Sequence, residues 1–194
     1  MDLHRIGIKF FAEESSAVDL PEFIPVFHRW IQGKLLDEML IDVADYSHVR
    51  DGPGILLVAH AGNYAYDETG GKRGLVYYSK HVLQGSLSDR IATVGRRALA
   101  ACALIESDET LRGRVRFRGD RVEIFANDRL LAPNTEQTWK TLRPALEDSL
   151  KKLFADAEYS LETEPDPVER FSVMASAKQP ASIAELIQRL GSSG

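Results

Sequence analysis

Connections rich in glycine, proline and aspartate limit what this chain of 194 residues can fold into. Residues of these types favour tight turns, and short turns join strands that run antiparallel. Two such connections, DGPG at 51–54 and DETGGKRG at 67–74, separate three segments that we predict to be strands, residues 40–48, 55–66 and 75–81. The sequence therefore predicts antiparallel hairpins in this part of the chain.

The spacing of apolar residues divides the rest of the chain into further strands and helices. Two-residue alternation predicts strands at residues 4–12, 115–117, 122–124, 159–163 and 171–177. Helical spacing predicts helices after Glu22, over residues 87–105, after Asn134 or Thr135, and after Ser182. We also expect a Gly119-Asp120 turn between two of the strands and a kink or break at Pro144.

These elements follow the order βαβββα and then ββαββα. Strands outnumber helices and meet mainly through short hairpins, so the expected class is α+β, with a mostly antiparallel sheet and helices packed on it. The similar order of elements in the two parts suggests two ferredoxin-like halves, residues 1–108 and 112–190, inside a single domain of residues 1–194.

Charge and cysteine content exclude several functional classes. The net charge of −5 argues against nucleic acid or an anionic membrane as the main partner. Cys102 is the only cysteine, which excludes an intrachain disulfide and a thiolate metal site. This usage fits a reducing compartment, and neither a secretory signal nor a membrane-spanning run is found, so we expect a cytoplasmic protein.

Polar and aromatic side chains concentrate between residues 42 and 78 and suggest a binding site. On the predicted strand 55–66, His60, Tyr64 and Tyr66 share a face with apolar residues, and such a surface can line a pocket. The residues that we predict to bind a ligand are His60, Asn63, Tyr64, Tyr66 and Arg73. The loop that carries Arg73 lacks the spacing of a phosphate-binding P-loop.

The same region supports a catalytic hypothesis. The best catalytic candidates are His60, Asp45, Asp42 and Tyr66. Histidine titrates near neutrality and can act as a general acid or base, with Asp45 or Asp42 fixing its tautomer. The register between the strands decides which of the two aspartates lies on the same face as His60, because a shift by one residue moves every side chain to the other face. The alternative is that His60 fills a sheet position and bonds a tyrosine hydroxyl. Metal-ligand spacings are absent, so no metal site is predicted.

Charged residues segregate into two further segments. A basic stripe contains Arg112, Arg114, Arg116, Arg118 and Arg121. Residues 156–169 carry six acids and no lysine or arginine. We expect the two segments to pair across neighbouring strands, and the alternatives are an acidic protein partner or a charge-driven homo-oligomer.

Four segments resemble a family of uncharacterised bacterial proteins. They are IPVFHRWIQ (residues 24–32), DVADYSH (42–48), residues 50–78, and LAPNT (131–135). The resemblance covers most of the chain and implies a bacterial source, but it implies no activity, ligand or catalytic residue.

Catalytic and cofactor-binding motifs are absent, and this decides the functional expectation. We expect a non-enzymatic module of the bacterial cytoplasm that needs no cofactor and binds a small molecule or a protein partner. The alternative is a small hydrolase, lyase or isomerase with an acid/base site centred on His60. A homo-oligomer that assembles through sheet edges is a third expectation.

Overall fold

The computed structural model describes residues 3–111 and 113–191. Within these residues the strands are β1 (Ile6–Ala12), β2 (Leu40–Tyr46), β3 (Gly54–Ala59), β4 (Gly62–Asp67), β5 (Gly74–Ser79), β6 (Phe117–Ala126), β7 (Tyr159–Thr163) and β8 (Ser172–Ala177). The α-helices are α1 (Phe23–Gly33), α2 (Leu87–Ser107), α3 (Glu136–Phe154) and α4 (Ile183–Gly191). Single turns of 3-10 helix lie at Leu20–Glu22 and Thr69–Gly71.

The eight described strands form one antiparallel sheet in the order β2-β3-β4-β5-β1-β6-β8-β7. The predicted hairpins at residues 51–54 and 67–74 join β2 to β3 and β4 to β5. β1 lies near the centre, between β5 and β6, and so connects the strands of the two parts of the chain. The expected α+β class with a mostly antiparallel sheet is confirmed. The ferredoxin-like halves and the domain boundaries stay predictions.

The described helices all cover one face of the sheet. α2 packs against β1 and β5, α1 against β2 and β3, and α4 against β6, while α3 packs on α2 and α4. Alternate side chains of the strands, such as Ile8, Leu57 and Val122, meet Trp30 and Leu146 of the helices in one core. Burying each large apolar side chain contributes about 1.5–3 kcal/mol. We call the other face of the sheet, which carries no helix, the open face.

Residues 117–126 form one strand where the sequence predicts a hairpin. Gly119 lies inside β6, and a Cβ atom at this position would come within 1.7 Å of the carbonyl oxygen of Ala181. The glycine therefore permits the close approach of the segment before α4 and does not make a turn.

The predicted helix caps form, and the predicted break does not. Ser182 and Glu185 make a reciprocal capping box at the start of α4, and Thr135 accepts a 3.2 Å bond from the amide of Thr138 at the start of α3. α3 continues through Pro144. Pro144 is exposed, so the carbonyl left without an amide partner faces water.

Candidate functional site

His60 lies in a turn, and this changes the faces of its neighbours. β3 ends at Ala59 and β4 begins at Gly62, so the predicted strand 55–66 is two antiparallel strands. The chain reverses at His60 and Ala61, which have no strong turn preference, and this is why the prediction of one long strand is wrong. His60 is exposed, and its ring centroid lies 5.7 Å from that of His81.

The turn places Tyr64 and Tyr66 on the helix-covered face. Tyr64 pairs with Leu57 across the strands, and Tyr66 pairs with Ile55. Both partners are fully buried in the core. The expected face shared by His60, Tyr64 and Tyr66 therefore does not form.

Tyr66 is a core residue. Its ring stacks on Phe23 with the centroids 3.8 Å apart, and it meets the edge of Phe117. The side chain is fully buried, and its hydroxyl has no hydrogen-bond partner among the described residues. Burial raises the pKa of the hydroxyl well above its ordinary value, so it is not placed to exchange a proton near neutrality.

A Tyr66→Phe variant removes this unpartnered hydroxyl. A buried polar group without a partner costs roughly 1–3 kcal/mol, so we expect the free energy of unfolding to rise by about 1 kcal/mol, measured by urea denaturation. The matched control is Tyr64→Phe, which loses a 2.6 Å bond to Glu38 Oε1 and is expected to lose stability. Equal destabilisation of the two variants would contradict the assignment.

The two candidate aspartates do not pair with His60. Asp45 lies opposite Ile55, five residues along β3 from His60, which is roughly 16 Å at the rise of a strand. Asp42 lies opposite Val58 and is exposed. Asp45 instead accepts bonds from the hydroxyl and amide of Ser47, which lower its pKa. Within the described ranges, no carboxylate forms an ion pair or hydrogen bond with His60.

Tyr64 belongs to a network that ties the α1–β2 connection to the sheet. Its hydroxyl donates to Glu38, and Arg97 on α2 donates to the hydroxyl of Tyr77 beside it. Burial and the charge of Glu38 raise the pKa of Tyr77 to about 12, although Arg97 acts in the opposite direction. The network therefore stays neutral at its tyrosines and holds the connection in place.

The other predicted ligand residues also separate. Arg73 pairs with Glu68 at 2.6 Å and donates to the carbonyl oxygens of Ser16 and Val18, so it fastens two loops together. Asn63 alone points to the open face, where its Nδ2 donates to the hydroxyl of Tyr78 at 2.7 Å. Its Oδ1 is buried and has no partner among the described residues.

Metal and thiol chemistry have no site in the part of the chain that the structure describes. No three side chains of His, Cys, Asp or Glu gather there closely enough to hold a metal ion. Cys102 is fully buried in α2, on the predicted side of the helix, and burial raises the pKa of its thiol. A buried neutral thiol is unreactive.

Among the described residues, no arginine of the stripe forms an ion pair with the acidic segment 156–169. The ion pairs that the stripe forms are Arg114–Glu22, Arg116–Glu106 and Arg118–Asp120. The expectation fails because residues 114–116 lie beside the loop after β1, where the amide of Arg116 donates to Ser16 Oγ, and not beside β7. Arg112 lies outside the described residues.

A groove of about 950 Å³ crosses the open face. We call it the sheet groove. Its lining includes the open-face residues of β4, β5, β1, β6 and β8 together with the loops at residues 51–53, 67–72, 127–129 and 162–170. The loops at residues 51–53 and 67–72 lie at the end of the sheet where β1 finishes. The loops at residues 127–129 and 162–170 lie at the opposite end, where β1 begins. A twisted sheet raises diagonally opposite corners towards the same side, so these loops form facing walls.

The floor of the sheet groove is apolar. Ala65, Val76 and Phe125 form a small cluster on the open face, with Leu56 and Tyr78 packed against it. The cluster is separate from the core under the helices. An apolar floor of this kind gives a ligand a surface to bury.

A buried ion pair stands beside the floor. Lys9 is 3% exposed and Asp67 is 8% exposed, and their charged groups are in direct contact. The ammonium group of Lys9 also donates to the carbonyl oxygen of Lys72 at 2.7 Å. The hydroxyl of Thr69 donates to the second oxygen of Asp67 at 2.9 Å. These bonds hold the 67–72 loop upright as one wall.

Two arginines border the floor at different ends, Arg170 beside Phe125 and Arg121 beside Phe11. The guanidinium of Arg170 lies 3.5 Å from the ring centroid of Phe125 and 3.8 Å from Glu123 Oε1. Arg121 contacts Met174 Sδ at 3.3 Å and the ring of Phe11 at 5.5 Å. In residues 3–111 and 113–191, Arg121 has no carboxylate within ion-pair distance.

A second depression, of about 820 Å³, lies beside the start of α4. Its arginines are paired, Arg118 with Asp120 at 2.8 Å and Arg116 with Glu106 at 3.9 Å, and the further charged residues Glu13 and Glu14 are acidic. The sheet groove differs because its Arg121 has no carboxylate within ion-pair distance among the described residues.

Comparison with known proteins does not identify a family. No family model, curated protein or solved structure matches this chain. The resemblance to a bacterial family and the source that it implies therefore stay predictions. In the described ranges, none of the helices combines the length and apolar character that crossing a membrane requires.

Sequence reasoning missed the residues that build the sheet groove. Lys9 lies on β1 and Arg121 and Phe125 lie on β6, and only the pairing of these two strands brings them together. One sequence signal could have indicated this site. Gly7 and Lys9 alternate with apolar residues along β1, and the structure buries this strand on both faces. A lysine on a central strand needs a partner, so it marks a polar site.

Proposed function

We propose that this chain is a non-enzymatic binding module whose sheet groove holds a small ligand with an apolar body and an anionic group. The apolar floor beside an unpaired guanidinium carries the proposal. Ala65, Val76 and Phe125 offer apolar contact, and Arg121 offers charge-assisted hydrogen bonds that no carboxylate of the described chain uses.

The alternative of a His60-centred enzyme has less support. His60 is exposed in a turn, Tyr66 is a core residue, and Asp45 lies at the far end of β3. General acid/base catalysis needs these groups within hydrogen-bond reach of one substrate. The resemblance and the single buried cysteine support a setting in the bacterial cytoplasm for the proposed module.

A fluorescent probe of the proposed chemistry tests the groove. Anilinonaphthalene sulfonate has an aromatic body and one negative charge, and its fluorescence rises when it leaves water. We expect saturable binding to the native protein. Met174→Trp fills the groove and Arg121→Gln removes its unpaired cation, and each is expected to weaken binding about tenfold, equivalent to ~1.4 kcal/mol.

The matched control lies on the same face of the sheet. Ser160 on β7 is exposed, is one strand further from Arg121 than Ser176 and does not line the sheet groove, so Ser160→Trp should bind the probe as the native protein does. Circular dichroism confirms that each variant is folded. Unchanged binding by both groove variants, or weakening by Ser160→Trp alone, would overturn the proposal.

A further inference from the structure

One edge of the sheet carries exposed apolar side chains and has no neighbouring strand among the described residues. β2 pairs with β3 on one side and with no strand of the described chain on the other. Of the nine exposed large hydrophobic side chains among the described residues, six lie on or around this strand. They are Leu35, Met39, Ile41, Tyr46, Val49 and Val82. We call β2 with these six residues the β2 edge.

Met39, Ile41 and Val82 lie towards the end of β2 where Leu40 pairs with Ala59, and Tyr46 and Val49 lie at its other end. Met39 directly precedes β2, and its carbonyl oxygen accepts a 2.8 Å bond from the amide of His60. The ring of His60 lies beside that of His81, which brings Val82 to the same end of the strand. Met39 is 69% exposed and Ile41 is 54% exposed, so both apolar side chains face water. Clustered exposure of this kind marks an interaction surface.

The opposite edge of the sheet differs from the β2 edge. β7 carries Glu162, is flanked by the Glu158–Lys178 ion pair, and presents no exposed large hydrophobic side chain. Charges on an edge strand prevent pairing with another chain. The charges on the β2 edge are of one sign only, Asp42 and Asp45, so they oppose an acidic strand but not a basic one.

The charges of the β2 edge select the chemistry of a partner. Residues 35–49 contain four acids and no lysine or arginine. Three of the acids, Asp37, Asp42 and Asp45, are exposed, whereas Glu38 is bound by Tyr64. Asp42 and Asp45 stand exposed on the edge strand itself. A strand that alternates apolar and basic side chains would pair with this edge through both its backbone and its charges.

We propose that the β2 edge binds an extended segment of another protein, in which lysine or arginine alternates with apolar residues, as an added strand of the sheet. A second copy of this chain fits less well, because it would bring two sets of three exposed acids together. The β-bulge between Leu40 and Asp42 also interrupts the edge and opposes long self-pairing.

Synthetic peptides test the proposal on the full chain. The probe is a short capped peptide of alternating lysine and valine carrying a fluorophore, and its binding is measured by fluorescence anisotropy. We expect saturable binding that weakens as salt is raised. A glutamate–valine peptide should not bind, and a lysine–valine peptide with N-methylated backbone amides should lose most of its affinity.

Variants locate the binding surface. Ile41→Lys places a positive charge on the β2 edge and is expected to weaken binding at least about tenfold. The matched control is Val168→Lys, because Val168 is 71% exposed and lies in the β7–β8 turn, far along the sheet from β2. Hydrogen exchange should slow at β2 amides when the peptide binds.

Three outcomes would overturn the proposal. They are equal binding of the acidic and basic peptides, equal effects of Ile41→Lys and Val168→Lys, and a dimer in sedimentation that Ile41→Lys dissociates. The last result would assign the β2 edge to a second copy. None of the three bears on probe binding in the sheet groove, so this proposal can fail while the proposed function stands.

Discussion

A Lys9→Met variant is expected to lose about 3–5 kcal/mol of unfolding free energy, because it leaves Asp67 as a buried charge without its partner. Both groups are almost fully buried, and among the described residues the Asp67 carboxylate then keeps only the bond from the Thr69 hydroxyl. Urea or guanidinium denaturation followed by circular dichroism measures the loss. The 67–72 loop also loses a bond, since Lys9 donates to the carbonyl oxygen of Lys72.

Two further variants separate the charge from the packing. Lys9→Met with Asp67→Leu removes both charges, and we expect it to recover more than half of the loss, because apolar pairs often replace buried ion pairs at little cost. Lys72→Met is the matched control: Lys72 is exposed on the same wall, so the change should stay within about 0.5 kcal/mol. A Lys9→Met loss no greater than that of Lys72→Met would contradict the role of the pair.

A Gly7→Ala variant is expected to be destabilised by about 2–3 kcal/mol, because the central strand has no space for a side chain there. A Cβ atom on Gly7 would lie 2.1 Å from the ring of Phe125. The ring cannot easily move outward, since the guanidinium of Arg170 lies 3.5 Å from its centroid. The same denaturation measurement applies, and the displaced ring should also alter probe binding in the sheet groove.

A double-mutant cycle tests the cause of this effect. In a Phe125→Ala background the space above Gly7 is free, so Gly7→Ala should be neutral or slightly stabilising there. Phe125→Ala by itself costs about 3–5 kcal/mol, as expected for a buried aromatic residue. An equal cost of Gly7→Ala in both backgrounds would show that the strain comes from the backbone and not from the ring.

Local patterns predicted most elements correctly and failed where a turn or a strand depended on its neighbours. The capping residues Thr135 and Ser182 mark real helix starts. The Gly119-Asp120 pair has the composition of a turn but lies inside β6, at the irregularity of the β1–β6 pairing between Val122, opposite Phe10, and Phe117, opposite Ala12. The turn at His60 lacks turn-forming residues and is imposed by the pairing of β3 with β4.

The candidate site was predicted less well than the fold. Asn63 lies on the open face, but Tyr64 and Tyr66 are in the core because one turn reversed the face of their strand. The sheet groove is lined by residues that are far apart in the sequence: Lys9 and Phe125, and likewise Lys9 and Arg170, are separated by more than a hundred positions. Periodicity within a segment contains no information about such neighbours.

The sequence alone determined the α+β class, the antiparallel hairpins and the buried position of Cys102, because these follow from local spacing and turn chemistry. The tertiary structure decided which face of each strand meets the helices and which residues share the open face. Side chains alternate along a strand, so a single turn or a shift by one residue reassigns a whole face. Strand order, with β1 between β5 and β6, then brought Lys9 to Asp67 and Gly7 under Phe125.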